Sequence, residues 1–179
     1  MIPRLFVRAR QQRVAARLYD SLVEQARREE FYRDCGVPDS LDGRFDMIVL
    51  HAFLVLRRLN REGERVSAFS QALFDCMFTD MDVSLREIGV GDLSVGKKVK
   101  HMARSFYGRA VAYEAGLAGS DETLADALRR NLFGTVTPAP EHTARMADYL
   151  RREAAALDAR PVEELLQGRL SFGPPPAAD

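Results

Sequence analysis

The sequence predicts an all-α protein, a compact single-domain bundle of six to seven helices, and three observations carry that reading. Apolar residues recur at three- and four-residue spacing along nearly the whole chain. No stretch of strict alternation bounded by turn residues argues for a strand. The length, 179 residues, suits one domain around a single substantial core.

The first helix spans about Gln12 to Arg28 and turns Val14, Leu18, Leu22 and Val23 inward. The turn-rich segment Asp34-Cys35-Gly36-Val37-Pro38-Asp39-Ser40 follows as a connector. A second helix, about Leu41 to Leu59, carries Phe45, Val49, Ala52, Leu56 and Leu59 on one face and Met47, Leu50 and Leu54 on the other. A helix that is apolar all round belongs at the buried centre of the bundle. The third begins near Val66 with one stripe of Phe69, Leu73 and Cys76 and a second of Phe74, Phe78, Met81, Leu85 and Ile88. The two stripes diverge, so this helix either contacts two neighbours or breaks near Thr79, and Gly89-Val90-Gly91 ends it. The fourth, about Ser94 to Leu117, holds Val95, Val99, Met102, Phe106, Ala110, Tyr113 and Leu117 within one narrow stripe. Shorter helices follow at about Asp121 to Leu132, Pro140 to Leu157 and Pro161 to Gln167, two of them opened by a proline suited to a first turn. The Phe172-Gly-Pro-Pro-Pro-Ala-Ala-Asp tail is expected to be disordered.

Lys plus Arg equals Asp plus Glu at 26 each, so no overall field draws the chain onto nucleic acid or anionic lipid, and any such contact needs a local patch. Cys35 and Cys76 lie far apart and form no C-x-x-C pair, which gives disulfide and zinc readings little support. The basic N-terminus lacks the apolar core of a signal peptide. The longest apolar run, Met47 to Leu56, rises only about 15 Å as a helix against a hydrocarbon core of about 30 Å. These features point to a reduced, cytoplasmic protein, with a place on the periphery of the inner membrane open to it. Ile2, Leu5, Phe6 and Ala9 can share a side while Arg4, Arg8, Arg10 and Arg13 meet anionic headgroups, so Arg4, Phe6, Arg8 and Arg10 are candidates for membrane-surface contact. A helix simply packed on the bundle is the alternative.

Chemical motifs are sparse. Gly91-Asp-Leu-Ser-Val-Gly96-Lys97-Lys98 satisfies the Gly-x-x-x-x-Gly-Lys part of a phosphate-binding loop, but Lys98 stands where a metal-ligating hydroxyl belongs and Leu85 to Val90 reads as a helix end rather than a strand. The segment is better read as a turn in which Ser94 caps the fourth helix. His51, His101 and His142 show no metal-ligand spacing; His51 reads as a hydrogen-bonded core residue and the other two as exposed. No nucleophile elbow is present. The sequence therefore implies no cofactor, no metal and no catalytic residue. Asp75 and Asp82, seven apart on one helical face with Asp80 and Glu87 nearby, read more simply as a solvated or salt-bridged set than as an acid/base pair. On the fourth helix Lys97, Lys100, His101, Arg104 and Tyr107 cluster directly away from the apolar stripe, with Lys98 and Arg109 at the borders. That basic face is either solvated surface or a contact for acidic protein, headgroups or RNA.

Two segments carry a family resemblance. Gly36 to Asp46 continuing through Leu50-His-Ala-Phe-Leu-Val-Leu-Arg-Arg-Leu59, and then Ala72 to Tyr113 with its Phe-x-Asp-Met-Asp, Gly-Val-Gly-Asp and Phe-Tyr-Gly-Arg elements, resemble the ubiquinol-cytochrome c chaperone family. The resemblance covers about Phe31 to Phe133. Without the presequence of mitochondrial relatives, the chain looks like a bacterial member. Residues 1–30 then form a basic N-terminal segment and first helix, 31–170 the helical chaperone domain and 171–179 the tail. The resemblance implies a non-catalytic assembly factor for ubiquinol-cytochrome c reductase that binds newly made cytochrome b or another subunit of the cytochrome bc complex. Contacts with the ribosome or the inner-membrane surface are also implied, while the small partner protein of mitochondrial members is left open. Carried over by position, Asp75, Asp80, Asp82 and the Lys97 to Arg104 face, with Tyr107, are candidate contacts for partner or client. Two rival readings stay open: an RNA- or ribosome-binding regulator, and an all-helical enzyme whose residues converge only in three dimensions.

Overall fold

Residues 2–177 are described by a computed structural model, with side chains from Arg8 onward. Eight α-helices and one 3-10 turn occupy these residues: α1 (Ile2–Ala26), α2 (Glu29–Arg33), α3 (Leu41–Asn60), the 3-10 turn (Gly63–Val66), α4 (Ser67–Glu87), α5 (Asp92–Ala118), α6 (Asp121–Asn131), α7 (Pro140–Ala159) and α8 (Val162–Leu165). Among the described residues there is no strand, and no helix is long and apolar enough to cross a membrane.

The apolar pattern of α3 places it where expected. Every residue from Asp46 to Leu56 is buried, and α1, α4, α5 and α7 all pack on this helix. Ser40 starts it by accepting a hydrogen bond from the Gly43 amide at 3.1 Å, which satisfies one of the free donors of the first turn. Ser120 does the same for α6 through Thr123, and Pro140 opens α7. The diverging stripes of α4 are resolved without a break at Thr79: the helix is continuous and lies between α1 and α5.

Four local expectations are corrected. The first helix begins ten residues earlier than Gln12, with Pro3 in its opening turn, a position that needs no amide hydrogen. Glu29–Arg33 forms a separate short helix that buries Phe31 and ends near Gly36, whose φ is +66°. Ser94 does not cap α5, which starts at Asp92 behind Gly91; apart from Gly91, the phosphate-loop pattern therefore lies inside a helix. His142 is half-buried rather than exposed and packs beside Gly36.

The tail is a fifth correction. Far from being disordered, it runs back over the core as far as Ala177. Phe172 sets its ring edge-on to His51 with centroids 4.9 Å apart. The Gly173 amide donates to Glu153 Oε2 at 2.9 Å, and Gly173 O accepts from Gln25 Nε2 at 2.9 Å. Arg152 donates to Pro174 O, Pro175 is buried, and the Cys35 thiol reaches Pro176 O at 3.6 Å. Composition suggested disorder because prolines cannot donate to a ladder. Here their carbonyls accept instead, and the fixed proline φ lowers the entropy lost on docking.

Beneath the tail lies a buried polar chain. His51 Nδ1 is 2.8 Å from Met47 O, which can only accept, so that nitrogen carries the proton. Nε2 must then accept from the Tyr149 hydroxyl at 2.8 Å, whose oxygen accepts from Gln25 Nε2 at 3.0 Å. His51 is the hydrogen-bonded core histidine that its place in the central helix suggested.

Candidate functional site

α5 is anchored by Val95, Phe106 and Tyr113, which are buried against its neighbours. Its opposite side carries Lys97, Lys98, Lys100, His101 and Arg104, all exposed. Of the chain's 26 Lys and Arg residues only these three are lysine. Most of the arginines elsewhere are ion-paired, for example Arg57 with Glu114 at 2.7 Å and Asp158 at 2.9 Å, and Arg58 with Glu62 at 2.8 Å. Lys97, Lys98, Lys100 and Arg104 form no ion pair among the described residues.

The structure divides the predicted basic face. Lys97, Lys98 and His101 stand on the rim of a groove of about 600 Å³. Its floor and walls come from Leu41 and Phe45 at the start of α3, from Met81, Leu85 and Ile88 at the end of α4, and from Met102 on α5, with Arg130 and Gly134 at the far side. Tyr107 is 60 % exposed and leans on Phe74 and Phe106, at centroid distances of 5.6 and 5.8 Å. It borders a different depression, with Val111 and Leu56. Lys100 and Arg104 line neither groove.

Deep in the first groove, Arg109 Nη2 meets Asp46 Oδ1 at 2.8 Å while its guanidinium lies 5.7 Å from the Phe45 ring centroid. Burial pushes the Asp46 carboxyl up to about 7, with Arg109 opposing that rise. The Tyr113 hydroxyl is buried without a hydrogen-bond partner among the described residues, and its pKa is raised by burial and then by the Asp46 charge.

The predicted acidic residues do not converge. Asp80 accepts a 2.6 Å hydrogen bond from the Tyr19 hydroxyl and so ties α4 to α1. Asp82 is held by Arg86 at 2.6 Å, and Arg86 also contacts Asp92. Asp75 is exposed, accepts from Gln71 at 2.7 Å and lies along the α1–α4 furrow that Arg8 also lines. Arg8 and Arg10 are exposed on α1; the side chains of Arg4 and Phe6 lie outside the described residues. The three histidines lie in the core, on the groove rim and in the first turn of α7 against the α2–α3 connector, and do not meet.

Leu41, Phe45, Ile88 and Arg130 were missed as groove residues because periodicity assigns Phe45 and Ile88 to the interior and gives no sign that three helix ends converge there. One signal was available. Asp46 interrupts an apolar helix, and a buried carboxylate demands a partner, which Arg109 supplies.

The profile of the family described as Ubiquinol-cytochrome C chaperone matches residues 33–172. The chain is 30 % identical over 161 residues to the human protein named ubiquinol-cytochrome c reductase complex assembly factor 1, covering 89 % of this chain and 54 % of that one. It is 28 % identical over 149 residues to protein CBP3, mitochondrial, of Saccharomyces cerevisiae, covering 81 % and 44 %. The chain thus spans about half the length of these curated relatives. The crystal structure of the Cbp3 homolog from Brucella abortus superposes with a TM-score of 0.84 at 37 % identity, over 97 % of both chains.

Proposed function

The chain belongs to the ubiquinol-cytochrome C chaperone family, and on that premise we propose that it is an assembly factor for ubiquinol-cytochrome c reductase that works by binding rather than by catalysis. Its client in this reading is newly made cytochrome b, or another subunit of the same complex, held before incorporation. The observation that carries the reading is the open side of α5, where unpaired cations border an uncovered apolar groove. Unpaired surface charge beside exposed apolar area is suited to engaging a partner that supplies both complements.

The test is made in the native host. Deleting the gene should lower cytochrome b and the assembled complex, and the wild-type chain should restore both. A variant with Lys97→Glu, Lys100→Glu and Arg104→Glu should fold, because these side chains point away from the core, yet restore poorly. A parallel Asp75→Lys, Asp82→Lys variant reports on the acidic side of α4. Full restoration by the folded triple variant would reduce the basic face to ordinary solvated surface. Steep salt-dependent binding to RNA instead of to a protein client would favour the ribosome-contact reading. We also propose that Arg8 and Arg10 support peripheral contact with anionic membranes. Deleting residues 1–10 should then weaken salt-sensitive vesicle binding, whereas lowered stability with unchanged vesicle binding would make that segment a packing element only.

A further inference from the structure

The α3–α4–α5 groove has a shape and charge that restrict what can fill it. Met81, Leu85 and Ile88 follow one another at spacings of four and three residues along α4, a stripe of about 10 Å. Leu41 and Phe45, one turn apart on α3, flank that stripe. Met81 and Leu85 are buried, but Ile88 is 56 % and Leu41 57 % exposed, so the upper apolar edge is uncovered. A floor of one helix between the walls of two others presents the ridges into which a further helix packs.

The charges set the sign of the occupant. Lys97, Lys98 and Arg130 stand around the rim without ion-pair partners among the described residues, while Asp46 is answered within the groove by Arg109. Asp42 is the remaining acid of the lining. The cations come from two elements, Lys97 and Lys98 from the first turns of α5 and Arg130 from the end of α6. A single phosphate is bound by donors that converge; a helix bearing carboxylates on successive turns is matched by cations spread along its flanks. The partial negative charge at a helix C-terminus adds to the same preference.

We propose that this groove seats a short amphipathic helix of a partner protein, two to three turns long, with its apolar face on Leu41, Phe45, Leu85 and Ile88 and its acidic flanks against Lys97, Lys98 and Arg130. The proposal rests on the chaperone reading above and names the chemistry of what that chaperone holds.

The experiment uses the full chain and a fluorescein-labelled synthetic peptide with leucines at helical spacing and glutamates on both flanks, read by fluorescence anisotropy. The Glu peptide should bind saturably, and its lysine-for-glutamate counterpart should bind about tenfold more weakly or worse. Lys97→Glu with Lys98→Glu, and separately Leu41→Gln with Ile88→Gln, should each weaken the Glu peptide by about tenfold or more while circular dichroism and melting stay those of the wild type. Lys97→Arg with Lys98→Arg should retain binding. Equal binding of the two peptides, or no loss in the groove variants, overturns the proposal. So does binding of phosphatidylglycerol-containing vesicles that the groove variants abolish while the peptide fails to bind, or a concentration-dependent dimer that the same variants dissolve. The two readings fail differently. Normal levels of the respiratory complex in the deletion strain would remove the assembly role without touching the peptide result. Groove variants that lose the peptide yet fully restore the complex would sink the groove as client site and leave the assembly role standing.

Discussion

Asp46 and His51 are both buried on α3, and burial moves their proton equilibria in opposite directions. Loss of water disfavours the charged form, which is the deprotonated state of a carboxylate and the protonated state of an imidazole. His51 is driven down from 6.5 to about 4. As pH falls below 6.5 the unfolded chain takes up a proton that the native imidazole refuses, so stability drains away until about pH 4, by on the order of 3 kcal/mol. Asp46 is raised from 3.8 to about 7. The stability it contributes is complete below its unfolded value and is lost as pH rises through 7. Melting temperatures measured against pH separate the two groups. His51→Gln should show a shallower fall between pH 6.5 and pH 4.5 than the wild type. Asp46→Asn should lose less between pH 5 and pH 8, whatever fixed penalty it brings by leaving Arg109 unanswered. Parallel profiles for wild type and either variant would mean that the residue titrates as it does in the unfolded chain.

Within one helix, two glycines predict opposite outcomes. A methyl group added at Gly108 of α5 meets nothing within 4 Å, and alanine is the better helix former, so Gly108→Ala should stabilise the fold by about 0.5 to 1 kcal/mol. At Gly116 the same methyl would lie 2.9 Å from the Leu124 Cα, where α5 crosses α6 too closely for any side chain. Gly116→Ala should therefore cost about 1 to 3 kcal/mol in thermal or urea unfolding. On α3, Leu50→Ala removes a fully buried side chain and should cost about 2 to 5 kcal/mol, whereas Leu93→Ala, at a site 94 % exposed, should stay within about 0.5 kcal/mol. The elements were legible in the sequence for the same reason that these costs differ: burial on one face imprints a period. The apolar residues on both faces of α3 and the Val95 to Tyr113 stripe of α5 were both readable. The start of α1 was not, because Pro3 and the arginines near it obscure the period. The groove was only half legible, since exposure of the Lys97 side follows from helical phase but the meeting of Leu41, Ile88 and Arg130 is fixed by tertiary packing alone.

At the scale of the molecule, the chain closes on itself. The last described residues lie over the His51–Tyr149–Gln25 chain and satisfy Glu153, a buried carboxylate that also pairs with Arg152 at 2.9 Å. Deleting residues 170–179 would expose the His51 ring, return Glu153 and Gln25 to incomplete bonding, and strip the cover from Cys35. A loss of about 3 kcal/mol is expected, which for a chain of this size lowers the melting temperature by roughly 6 to 12 °C. An unchanged melting temperature would make the tail a passive appendage. Its docking was invisible in the sequence because proline-rich composition reports the absence of regular hydrogen bonding and is silent about carbonyls that accept from side chains across the fold.

The restriction of lysine to positions 97, 98 and 100 has a practical corollary. Every side-chain amine in the protein sits on a single stretch of α5, so an amine-directed crosslinker or acylating reagent has one address apart from the chain terminus. Whatever neighbour it joins in the cell must be standing beside that stretch, and protection of the three amines reports directly whether it is occupied.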